Sequence, residues 1–136
     1  MKNYWLVKQE PGDYSWDDFV RDRGTSWTGV RNYTARNNLR KMAKDDEVLF
    51  YHSGEQKAVV GIAKVKREAY PDSSANDGDW SAVDLVPVRL LRNPVTLTEI
   101  KRTQSLQNLP LIRQSRLSVL PIGNAEFKKI VEMAGG

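Results

Sequence analysis

The chain has 136 residues, no cysteine and a single histidine, with 21 Lys and Arg against 17 Asp and Glu for a net charge of +4. This length is enough for one domain, residues 1–136, to bury most of its apolar surface without staples, and the lack of cysteine excludes disulfides and thiolate zinc sites. The opening apolar run, Tyr4-Trp5-Leu6-Val7 before Lys8, is too short for a signal peptide, and no stretch approaches the roughly 20 apolar residues of a membrane span; a cytoplasmic protein without membrane contact is expected, nuclear if the source is eukaryotic.

Tyr4 to Lys8 reads as a first strand, closed by the turn-forming Pro11-Gly12. Ser15-Trp16-Asp17-Asp18 is a capping box with Asp in place of Glu, and Trp16, Phe19 and Val20 give the following helix an apolar side; Gly24-Thr25-Ser26 ends it and delivers Trp27. Thr34 to Met42 is predicted to be a short helix with Leu39 and Met42 inward and its arginines outward. Val48 to His52, apolar on both faces, is expected at the centre of a sheet. It forms a hairpin with Ala58 to Lys66, where Gly61 marks a bulge or a close backbone approach.

Tyr70-Pro71-Asp72 opens a polar loop reaching Asp79, with Trp80 at its border in no apolar pattern. Val83 to Leu91 returns as a strand in which Pro87 implies an edge or a bulge, and Pro94 is expected to terminate it. Thr96-Leu97-Thr98-Glu99 is a capping box for a helix through Lys101. Ser105 to Gln114 shows no clear period, and its leucines are expected to pack under a loop before a last strand at Leu117 to Leu120. Pro121 to Asn124 is the final turn. Phe127, Ile130, Val131 and Ala134 then repeat at helical spacing, with Asn124 as expected N-cap. Strands of five to nine residues with short helices between them point to an α+β fold, a mixed sheet or small barrel, because a doubly wound fold would alternate regularly.

Catalytic inventory is thin. A nucleophile–base arrangement would have to use His52, whose neighbour Ser53 points to the opposite face of a strand. One histidine without cysteine leaves only carboxylates for a metal, no spaced acidic cluster is present, and no Walker or Rossmann glycine pattern occurs; no metal and no cofactor are expected. An enzyme acting on a nucleotide or small molecule, with His52 as acid–base, stays as one alternative, and a protein-interaction module as another.

Binding chemistry is richer. Trp27-Thr28-Gly29-Val30-Arg31-Asn32-Tyr33 brings rings, a guanidinium and an amide into seven positions, a mixture suited to stacking on a flat polar ligand and hydrogen-bonding its edge. Trp27 sits between turn glycines instead of within an apolar period, so a pocket-lining position competes evenly with burial. Trp5 and Trp16, in apolar patterns, are assigned to the core. The net positive charge favours a polyanionic partner, and Arg31, Arg36, Arg40 and Lys41 crowd one segment, although a solvated helix face beside the acidic loop accounts for them equally well.

Five segments together resemble the EVE domain, a member of the PUA-like superfamily that also contains YTH and ASCH domains. They are Tyr4 to Pro11, Trp27 to Tyr33, Phe50-Tyr51-His52-Ser53, Glu68 to Asp72 and Arg113 to Val119, and the resemblance spans nearly the whole chain. It implies a barrel-like sheet of five to six strands with helices packed around it and a concave pocket. It further implies non-catalytic binding of a modified nucleobase, C5-modified cytosine in DNA first and a modified RNA base second. Mapped onto this chain, Trp27 would be a pocket wall and Val30, Arg31, Asn32 and Tyr33 its rim. His52 and Ser53 would offer polar edges, Lys8 and Gln9 would flank the mouth, and Arg116, Leu117 and Ser118 would close the far side. Arg36, Arg40 and Lys41 would face phosphates. Thr28 and Thr34 stand where the family pattern has Asp and Gln, which alters the rim and leaves the rings and Asn32 in place.

Overall fold

The structure, a computed structural model, describes residues 2–136. Six strands form one mixed sheet in the order β2-β5-β4-β3-β1-β6, which stays open between edge strands β2 and β6. The strands are β1 (Tyr4–Gln9), β2 (Thr25–Trp27), β3 (Glu47–His52), β4 (Ala58–Pro71), β5 (Ser81–Thr96) and β6 (Val119–Ile122). Between them lie α1 (Trp16–Asp22), α2 (Tyr33–Lys41), α3 (Leu97–Lys101) and α4 (Pro110–Arg113), and α5 (Asn124–Met133) follows β6. No helix among the described residues is long and apolar enough to cross a membrane.

Strand β3 is interior, as its two apolar faces predict, and it is antiparallel to β4 but parallel to β1. The parallel pairing brings Lys8 opposite Tyr51 and Gln9 opposite His52, so both strands deliver their polar C-terminal residues to the same end of the sheet. Gly61 opposes Phe50 beside a register shift, and a Cβ there would come within 2.5 Å of the Trp16 ring. Trp16, Phe19, Trp27 and Phe50 meet in one aromatic cluster, with Phe19 stacked on Phe50 and both indoles edge-on to it.

Several boundaries differ from the sequence reading for identifiable reasons. Thr25 to Trp27 is a strand paired with β5, too short to display a period. Pro94 does not end β5. Leu90 opposes Gly61 and Val95 opposes Val59, so the residues between, Pro94 included, bulge out of the ladder and need no donor there. Pro87 lies at another register shift and beyond the reach of β2, satisfying both the bulge and the edge. The polar loop starts later than expected, because β4 continues through Pro71. The last strand is Val119–Ile122, where edge position tolerates Pro121, and Gly123 instead of Asn124 caps α5. The aperiodic segment contains a 3₁₀ turn, Gln104–Leu106, and the single-turn α4.

Candidate functional site

The polar ends of β1 and β3 anchor the loops around the candidate site. The Lys8 amide donates to the Ser118 carbonyl at 3.0 Å and the Ser53 amide to the Gln9 carbonyl at 2.9 Å, fixing both loops to the β1 end. Lys8 Nζ donates to the Ser115 carbonyl at 2.8 Å and lies 5.8 Å from the centre of the Tyr51 ring. Burial lowers the pKa of this ammonium group and raises that of the Tyr51 phenol. A half-buried cation with a single carbonyl partner is poised to donate its other hydrogens to an acceptor entering from solvent.

Helix α2 supplies one wall. Its N-cap is Asn32, whose Oδ1 accepts from the Ala35 amide at 2.9 Å. At mid-helix the Asn38 side chain donates to the Val119 carbonyl at 2.8 Å, which ties α2 to β6. Asn32 and Thr34 thereby face Gln114, Ser115, Arg116 and Leu117 across a cavity of about 310 Å³. That volume sits at the low end for small-molecule sites and suits one base. A second cavity of about 260 Å³ is lined by Gln9, Asp13, Tyr14 and the Thr25 to Thr28 segment, and Lys8, next to Gln9, bonds the Ser115 carbonyl of the first.

The Gly29–Arg31 rim is clamped by Asp72. Its Oδ2 accepts from the Gly29 amide at 2.9 Å and from Arg31 Nη1 at 3.0 Å, while Oδ1 accepts from the Ser74 amide and hydroxyl. Burial opposes ionisation of Asp72, but bonds from the Ser74 hydroxyl, the Gly29 amide and Arg31 outweigh it and hold the carboxyl well below the usual carboxylate range. The sequence marked Asp72 only as the start of an acidic loop. Its role as the bolt of the rim depends on a partner more than forty positions away.

Not every expected residue reaches the site. Trp27 is only 5% exposed and packs edge-on against Phe50 at 5.7 Å, so it is a core residue that presents one margin to the second cavity. Val30 and Leu117 are also buried, supporting the rim from beneath. His52, 8% exposed, uses both ring nitrogens internally: Nε2 accepts from the Trp16 amide at 3.0 Å and Nδ1 is 2.7 Å from Gln56 Oε1. These partners make Nδ1 the protonated nitrogen, and His52 fastens α1 to the sheet where the sequence expected a polar edge. Arg116 is exposed at the cavity mouth and Ser118 half-buried beside Lys8.

The basic segment is also redistributed. Arg40 pairs with the Asp79 carboxylate at 2.8 Å and donates to Ser81, while Arg36 donates to the Asp79 carbonyl and to Asn37. These guanidinium groups hold the 72–80 loop against α2, a commitment the expected phosphate-facing role did not include. Lys41 is exposed at the far end of the helix, about 13.5 Å from Asn32 at 1.5 Å per residue.

Comparison with known proteins places this architecture. The sequence profile of the EVE domain matches residues 3–133. The chain is 35% identical to thymocyte nuclear protein 1 of Mus musculus, over 98% of its own length and 74% of that protein's. It superposes on a protein of Agrobacterium tumefaciens with a TM-score of 0.94 and 42% identity, covering 98% of this chain and 93% of that one. It also superposes on human THYN1 protein in complex with 5-methylcytosine-containing DNA, with a TM-score of 0.91, 31% identity and 99% of each chain covered.

Proposed function

The chain belongs to the EVE domain family, and from that premise we propose that it binds, without catalysis, a modified nucleobase in nucleic acid. C5-modified cytosine in DNA is the favoured ligand. The observation that carries this reading is the likeness, along 99% of the chain, to a protein held in complex with 5-methylcytosine-containing DNA. Its support in the geometry is a base-sized recess lined by Asn32, Gln114 and Arg116 among others, with Lys8 bonded to the Ser115 carbonyl beside it.

In this reading Lys8, Gln9, Ser53 and Ser118 present hydrogen-bonding groups at the floor, Asn32 and Arg116 flank the entrance, and Leu117 and the margin of Trp27 give apolar contact. Asn32 contributes through Nδ2, since its Oδ1 caps α2. Arg31 completes the rim and Val30 backs it, while Tyr33, between the recess-lining Asn32 and Thr34, does not itself line the recess. A base leaving a duplex stack costs a few kcal/mol, which stacking worth about 1–3 kcal/mol and hydrogen bonds offset. The C5 methyl itself adds only about 0.8 kcal/mol through burial, so discrimination rests on shape around that methyl.

The test is a titration with oligonucleotides identical except for cytosine, C5-methylcytosine or C5-hydroxymethylcytosine at one position, with modified RNA in parallel. Tighter binding of one modified strand is expected. Equal, weak and purely salt-dependent binding to all of them sinks the proposal.

A further inference from the structure

Trp80 lies flat against Tyr33, with ring centroids 5.2 Å apart and planes 16° from parallel. The Arg36 guanidinium is 5.0 Å from the Tyr33 centroid and 5.7 Å from that of Trp80, and Arg31 is 5.6 Å from Trp80. Tyr33 is nevertheless 65% exposed. One face of the ring lies on the indole, and most of the residue stays open to solvent.

This stack is built into the fold. The Trp80 carbonyl accepts from the Asp72 amide at 2.9 Å, closing the base of the loop that carries the indole. Gly78 lies under the ring with φ +86°, and a Cβ there would stand 2.5 Å from the indole Nε1. Asp72 holds Arg31, and the Asp79 carbonyl with Asn37 holds Arg36. Among the described residues Arg36 has no carboxylate partner, so its charge at the platform is not cancelled by an ion pair. The platform also adjoins the recess, since Asn32 and Thr34 on either side of Tyr33 both line it.

We infer that the Tyr33–Trp80 stack is a second base-binding site, a platform for the unpaired base next to the one held in the recess, with Arg36 facing the phosphate between them. Two guanidinium groups already beside the rings repel a cationic ligand, whereas a base brings a π-face for the open side of Tyr33 and an anionic linkage for Arg36. The inference rests on the recess holding a base, and it extends the ligand from one nucleotide to at least two in single-stranded or locally opened DNA.

The experiment uses single-stranded DNA trinucleotides with central C5-methylcytosine and either thymidine or abasic flanks, titrated into the full chain and into Tyr33→Ala and Tyr33→Phe. The unsubstituted protein should bind the thymidine-flanked strand about 5- to 100-fold more tightly than the abasic-flanked one. Tyr33→Ala should lose that ratio and still bind the abasic-flanked strand normally, while Tyr33→Phe retains it. An equal affinity for both strands in the unsubstituted protein overturns the platform. So does a Tyr33→Ala loss that is the same for both strands, which would place Tyr33 in the single-base recess, and so does absence of binding to either. A parallel series with unmodified cytosine separates the two readings: flank dependence without preference for the modified base removes the cytosine reading and leaves the platform standing.

Discussion

Trp27 serves two structural neighbours at once, the aromatic core through its edge contact with Phe50 and the second cavity through its margin. Truncating a buried indole costs about 3–5 kcal/mol, so Trp27→Ala should shift the denaturant midpoint markedly downward, and any loss of binding will be mixed with loss of fold. A midpoint within error of the parent would instead make Trp27 a pocket wall alone. Asp72 allows a cleaner test at the rim. Its folded pKa lies below the ordinary 3.8, so the ionised carboxylate contributes stability that is present above that value and is lost as pH falls below it and through the folded pKa. Asp72→Asn should cost roughly 1–3 kcal/mol at neutral pH through its weakened bonds and should flatten the acid limb of a stability-versus-pH curve. A variant whose acid limb matches the parent's would show that the rim is held by other contacts.

At the scale of elements, α1 meets the β3–β4 hairpin where the Trp16 ring lies over Gly61. Gly61→Ala would drive a methyl into the Trp16 ring at 2.5 Å, and overpacking of this kind costs typically 1–3 kcal/mol; thermal unfolding should record the loss, and an unchanged midpoint would mean that the indole swings aside freely. The sequence made this contact legible as a strand glycine demanding a close approach. It also made α1, α3 and α5 legible, because capping boxes and helical periods are local patterns written in consecutive residues. The ends of β5 and β6 were not, since whether a proline interrupts a strand depends on whether a neighbour asks for its missing N–H. Pro94 and Pro121 both sit where no such demand falls, one in a bulge and one on an edge strand. Helix α2 was read nearly in full, and its N-cap Asn32 carries the further consequence that Asn32→Ala should weaken the helix by about 1 kcal/mol while removing a flank of the recess.

Across the whole molecule, charge is distributed less simply than along the chain. Arg40 faces Asp79 and Arg31 faces Asp72, while Arg116 stands exposed at the cavity mouth. If Arg116 meets a phosphate, Arg116→Ala should reduce the slope of log affinity against log salt by about 0.9 for duplex DNA or 0.7 for single strands. Arg40→Ala should leave that slope nearly unchanged and loosen the 72–80 loop instead, visible as faster amide exchange there. A slope change for Arg40→Ala as large as for Arg116→Ala would return Arg40 to the phosphate-facing set. The sequence by itself determined the class of fold, the core strands, the capped helices and a chemical inventory suited to binding, because these follow from composition and from patterns a few residues long. Only the tertiary structure decided which polar groups find partners inside the fold and which stay open. Lys8 meets Ser115 across 107 positions, His52 gives both ring nitrogens to Trp16 and Gln56, and Asp79 captures Arg40, outcomes set by through-space competition for partners that no local pattern encodes.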